Sequence, residues 1–249
     1  MNLLAAERIK LFSTRSPWWC TAVAIALVVG GMSLLAITAP AGIRAIPIWV
    51  TAQFLQFGMV VVMVMATVSV TTEYRFSTIR TTFQAVPNRT AVLLAKTAVV
   101  GIVATIAGLL SSFGALAMVA LLRPDPSLAL TTDAQWRAVV GAGPAFLVAA
   151  VLAVAVGILI RQTAGAVALL LVWTLLVENL IRVIPEVGPM VHQWMPFTNV
   201  MNFLAGGSAE AAEEAGAMAL TPWASLGYTA AVAAVLLAVA IATANRRDA

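Results

Sequence analysis

Apolar residues in this chain come in runs of about twenty or more, separated by short polar or proline-bearing connections. Roughly 20 apolar residues carry a helix across a bilayer, and six runs reach that length, at about 18–39, 48–70, 91–122, 138–160, 163–184 and 222–244. Continuous apolarity, without the ten-residue alternation of barrel strands, selects helices. The expected fold is all-α: a polytopic membrane protein whose six-helix transmembrane domain occupies 18–244, with 245–249 as a tail. The third run exceeds what a bilayer requires, so it tilts or projects beyond the membrane.

Three connections carry patterns of their own. Residues 1–17 group Ala5, Ala6, Ile9 and Phe12 on one side of a helical wheel, with Arg8 and Lys10 placed to snorkel, so an N-terminal interfacial helix is expected. Trp18 and Trp19 then suit the aromatic belt. Taken as a helix from Arg75, segment 72–90 sets Phe76, Ile79 and Phe83 on one stripe, with Ser77, Thr81 and Gln84 opposite, Arg75 and Arg80 flanking and Pro87 as the stop. A helix lying on lipid or on its own chain is the commoner use of such a stripe; a docking knob for a soluble partner is the alternative. Segment 185–221 holds Pro185, Pro189 and Pro196, an apolar piece from Phe197 to Leu204, then Gly206-Gly207 and Glu210, Glu213 and Glu214. A moderately apolar stretch bounded in this way is expected to form an outer re-entrant hairpin.

Composition agrees with the pattern: 62% hydrophobic and 10% charged residues, with a mean hydropathy of +1.00, against about a quarter charged in soluble domains. With the N-terminus inside, Arg8, Lys10, Arg15, Arg75, Arg80, Arg89, Lys96, Arg161, Arg246 and Arg247 are inside and Arg44, Arg123, Arg137 and Arg182 outside, ten against four of the 14 basic residues. The positive-inside rule therefore predicts both termini in the cytoplasm of a cell (plasma or inner) membrane, 72–90 inside and 185–221 outside. A pI near 10.0 follows from basic residues facing anionic lipid. No aromatic-interleaved basic patch points to nucleic acid.

Candidate chemistry is sparse. No G-x-x-x-x-G-K-[ST] loop, H-E-x-x-H, paired Cys/His spacing or G-x-S-x-G occurs, so neither catalytic residues nor metal ligands are expected. Cys20 is the sole cysteine, which excludes an internal disulfide, and His192 reads as structural or interfacial. Glu178, inside the fifth run, precedes Arg182 by one turn. That order favours a pair, either structural or a polar element at an outer gate. Ala104, Gly108 and Ser112 form a small-residue row that implies close helix packing.

In order along the chain, Glu73, Ser77, Thr78, Ile79, Pro87, Arg89 and Lys96 between the second and third runs, and Met195-Pro196-Phe197 after the fifth, resemble the membrane subunit of ABC exporters of the ABC-2 permease family. That family more often has Gly where Ser77 stands. The resemblance implies a half-transporter. Two permease subunits, identical or related, would assemble with two ATP-binding subunits that hold ATP and Mg, while this chain carries no cofactor and is no enzyme by itself. It also makes Glu73, Arg75, Phe76, Thr78, Ile79, Arg80, Phe83 and Pro87 a coupling helix received by the ATPase, with Glu178 and Arg182 at the outer gate. Spans poor in charge point to a hydrophobic or amphipathic cargo such as a drug, lipid or apolar peptide. The alternative is a non-ABC membrane protein, either a secondary transporter or a membrane assembly or scaffold factor.

Overall fold

A computed structural model describes residues 3–40, 46, 50–86, 88–125, 128–205 and 218–247, the side chains of Arg80 and Arg247 excepted. Every regular element among them is helical: α1 (Leu3–Ser13), α2 (Ser16–Thr38), α3 (Val50–Arg75), α4 (Thr78–Ala85), α5 (Arg89–Leu122), α6 (Asp133–Val140) and α7 (Ala142–Ile160). There follow α8 (Thr163–Val172), a π-helical turn (Trp173–Val177), α9 (Glu178–Val183), α10 (Val187–His192), α11 (Pro196–Ala205) and α12 (Pro222–Arg247). Six helical stretches are long and apolar enough to cross a membrane: α2, α3, α5, α7, α8 through α9, and α12.

The chain is thus an α-helical protein of membrane character, with six helices of spanning length among the described residues, and the apolar runs locate them to within a few residues. Two boundaries differ. The fourth run begins as a separate helix, α6, and breaks at Gly141 before α7. A Cβ there would lie 2.2 Å from the Arg137 carbonyl oxygen and 2.8 Å from the Phe203 ring, so close approach requires glycine. The segment expected as a helix from Arg75 continues α3 to Arg75, turns at Phe76 and Ser77, and restarts as α4 at Thr78.

Helix α7 is the core of the bundle, touching α3, α5, α8 and α12. The small-residue row of α5 lies in this packing: Ala104 and Ser112 are buried, and a Cβ on Gly108 would meet the Ala142 carbonyl oxygen at 2.5 Å. Ser112 donates to the Val139 carbonyl at 2.7 Å. Without a strong hydrophobic drive between helices in lipid, such close backbone approach and interhelical hydrogen bonds supply the cohesion. Helix α5 has 34 residues, roughly 51 Å at 1.5 Å per residue, and so outruns the roughly 30 Å hydrocarbon layer. Its first turns reach the end of the bundle that also holds α1, α4 and the last turn of α12, where Asn245 Nδ2 donates to Thr90 Oγ1 at 3.0 Å. We call this the terminal end, and the opposite one, with α6, α10 and α11, the far end.

Candidate functional site

At the terminal end, α4 is short, but both of its faces are assigned. Ile79 and Phe83 point into the chain's own apolar core. Phe76, in the turn before it, is 68% exposed, with the Arg75 guanidinium 5.5 Å from its ring centroid. Thr78, Thr81 and Gln84 are also exposed. The expectation of one docking stripe made of Phe76, Ile79 and Phe83 is therefore corrected. The break at Ser77 rotates Phe76 away from the other two, which serve as the anchor. Arg89 reinforces that anchor, its guanidinium 5.5 Å from the Phe83 ring centroid. Ser77 adopts φ 58°, in the left-handed region that favours glycine. Pro87 lies outside the described residues, and so does the Arg80 side chain.

Beneath α4 four charged residues from three helices converge. Lys96 Nζ on α5 donates to Glu7 Oε2 of α1 at 2.6 Å and to Glu73 Oε1 of α3 at 2.8 Å. Lys10 Nζ donates to Glu7 Oε1 at 2.9 Å and to Thr82 Oγ1 of α4 at 3.0 Å, and lies 3.7 Å from Glu73 Oε1. Helices α1, α3, α4 and α5 are thereby tied into one unit. Burial acts to raise the Glu7 carboxyl's pKa, but the Lys96 charge and the hydrogen bonds from Lys96 and Lys10 outweigh it and hold the group below the ordinary glutamate value. The placement of Lys10 corrects the snorkelling expectation. Its ammonium turns inward to two carboxylates, and Glu7 with Leu11, one turn apart, forms the buried face of α1.

At the far end Glu178 and Arg182 do not pair, contrary to the i,i+4 expectation. Glu178 is 3% exposed, whereas Arg182 is exposed. The physical reason is a stronger set of donors. Glu178 Oε1 accepts from Trp173 Nε1 at 3.0 Å and from the Phe197 amide at 3.1 Å. Oε2 accepts from the Thr198 amide at 2.7 Å and from Thr198 Oγ1 at 3.0 Å. The carboxylate sits at the N-terminus of α11, where unsatisfied amides and the helix dipole favour an anion. The π turn makes this possible: its i→i+5 repeat brings Trp173 and Glu178 onto one face, and the Glu178 amide bonds back to the Trp173 carbonyl.

Thr198 Oγ1, already donating to Glu178, accepts from His192 Nε2 at 3.1 Å. Burial, with the Arg182 charge second, lowers the His192 pKa. Helix α11 is fixed further by Arg137 Nε to the Phe203 carbonyl at 2.7 Å and Asn202 Nδ2 to Ser225 Oγ at 2.8 Å, and the turn before it by the Tyr228 hydroxyl to the Trp194 carbonyl at 2.9 Å. Its apolar residues Phe197, Val200, Phe203 and Leu204 are buried in protein. Gly206, Gly207 and the acidic patch at Glu210, Glu213 and Glu214 lie outside the described residues.

Of the residues singled out in the sequence, Glu73 and Lys96 meet, and Phe76, Thr78 and Arg75 share one exposed edge. Glu7 and Thr82 were not singled out, nor were Trp173 and Thr198 around Glu178, and Lys10 and His192 were named in the sequence without these partners. One signal existed for the first group. Lys96 lies seven residues into an apolar helix, and an ionisable group so placed calls for a partner, while Glu7 and Glu73 are two of only three acids on the side assigned as inner. No known family model matches this chain, and no curated protein matches its sequence.

Proposed function

We propose that this chain is the transmembrane permease subunit of an ATP-driven exporter of the ABC-2 type, working as a pair with two separate ATP-binding subunits. The observation that carries the reading is α4. It is a short helix between two spans, anchored on the chain's own core by Ile79 and Phe83, and it leaves Phe76, Thr78, Thr81 and Gln84 uncovered at the terminal end. The left-handed Ser77 supports it too, because the family resembled here more often has Gly at that position.

In this reading the ATP-binding subunit grips the outward edge of α4. The Lys10–Thr82 bond and the ion cluster then carry its movement to α1, α3 and α5 as one body, and the spans of two permeases shift to pass a hydrophobic or amphipathic cargo outward. Basic residues dominate the terminal end, and the positive-inside rule makes that support for a cytoplasmic face of a cell membrane with both termini on it. Helix α1 lies at that interface, and α10 with α11 forms the outer re-entrant pair. In the rival secondary-transporter reading Glu178 would have to be free to exchange its partner, and four donors already occupy it.

Affinity purification of the tagged chain from its native membrane tests the proposal. An ATP-binding protein should co-purify, and its ATP hydrolysis should rise when this chain is added back in lipid. Purification of the chain with no ATPase under conditions that preserve its fold would point to a scaffold instead.

A further inference from the structure

Helix α3 carries two carboxamides at membrane depth. The side chains of Gln53 and Gln56 make no hydrogen bond among the described residues, whereas Asn179 and Asn245, the other carboxamides in the spanning stretches, each donate within the chain. At 1.5 Å per residue, Gln56 lies about 25 Å along α3 from Glu73 of the charged cluster and Gln53 about 30 Å. A hydrocarbon layer of roughly 30 Å counted from that cluster encloses Gln56 and has Gln53 at its rim. Acyl chains offer an amide no hydrogen bond.

The exposure of this stripe is confined to the far half of α3. Thr71 follows Gln53 by five helical turns and so shares its azimuth. It is buried, and it accepts from Thr163 Oγ1 of α8 at 2.9 Å, so the chain covers the stripe itself at the terminal end. On the far half Gln53 is exposed, Phe57 is 54% exposed, and Gln56 and Val60 are half-buried. A carboxamide carries both donors and an acceptor, so an identical amide matches it on both counts. A two-fold axis sets identical groups opposite one another in an isologous interface, and Gln is among the side chains that bond across helices in membranes. We infer that two copies of this chain meet along the far half of α3, with Gln53 and Gln56 of each hydrogen-bonded across the seam and Phe57 packed beside them. This seam rests on the pairing in the exporter reading and gives that pair its contact face.

The test is cysteine crosslinking of the full chain in native membranes. In a Cys20→Ser background, Gln56→Cys or Phe57→Cys with a short bismaleimide should give covalent dimer at a yield at least five-fold above Ile102→Cys on α5 and Val235→Cys on α12, positions that are 58% and 64% exposed. Gln53→Leu with Gln56→Leu puts apolar groups in place of the amides. It should keep the parent thermal midpoint and raise the dissociation constant of the dimer at least ten-fold, read by energy transfer between fluorescently labelled chains on dilution in phosphatidylcholine vesicles. Should that double variant lose its midpoint, the crosslinking decides. Dimer captured from position 102 or 235 and not from 56 or 57 would overturn the seam. So would a folded double variant that associates as the parent does, which would leave the amides to the cargo. An ATP-binding protein that still co-purifies in either case leaves the exporter reading standing, whereas chains that pair through no position would remove the pairing together with the seam.

Discussion

Glu178 is held by four donors, and every one of them needs an acceptor. Glu178→Gln places an amide N–H₂ among N–H groups and leaves buried donors unmatched, at a cost of about 1–3 kcal/mol, so the thermal midpoint in detergent should fall. Arg182→Met removes an exposed side chain with no part in that site and should change stability by less than about 0.5 kcal/mol. It should instead raise the pKa of His192, since the Arg182 charge helps to depress it. His192 is the only histidine, so its NMR titration is unambiguous. A midpoint below about 6.5 is expected in the parent chain, moving upward in the variant. Ser77→Gly relieves a left-handed residue whose strain is roughly 1–2 kcal/mol, offset by glycine's entropy of roughly 0.5–1 kcal/mol; a small stabilisation should be seen by thermal melt. The sequence disclosed Glu178 as a buried charge needing a partner, but not which partner. Three of its four donors come from the start of α11, about twenty residues away, two of them backbone amides, and the π turn that aims it and brings up Trp173 has no residue signature.

Helices α1 and α4 show where one-dimensional patterns lose power. A wheel drawn through Phe76, Ile79 and Phe83 assumes an unbroken helix, and the turn at Ser77 removes that assumption. Likewise the partial amphipathicity of α1 hid the fact that its inward face is built on a charge. Lys96→Met should leave Glu7 with Lys10 alone and Glu73 with no hydrogen-bonded ammonium, and destabilise the chain by about 3–5 kcal/mol, the usual result of breaking a buried pair from one side. In a double-mutant cycle Glu7→Gln with Lys96→Met should cost less than the sum of the single changes. Because the fold holds Glu7 below its ordinary pKa, its contribution is complete above about pH 4.3 and is lost as pH falls through the lower folded value. A spin label at Ile9, exposed on the far side of α1, should stay immobile at neutral pH and gain mobility only in acid below that value.

For the molecule as a whole, six spans and their order were legible because hydrocarbon demands long apolar runs, a constraint stronger than any local propensity. Interhelical contacts were less legible, since a small-residue row states that helices approach closely but not which ones. The packing of Gly108 against Ala142, and of Gly143 against Leu109, identifies α5 and α7 as that pair. The central functional claim is that the outward edge of α4 docks an ATP-binding subunit while its inward edge holds the bundle. The most direct measurement places a photo-crosslinking amino acid at position 76 or at position 83 in native membranes and identifies the adducts by mass spectrometry. Position 76, exposed, should capture an ATP-binding protein, and position 83, buried, should yield only crosslinks within the chain. Lipid adducts alone at position 76, or an ATP-binding protein captured from position 83 and not from 76, would contradict the claim.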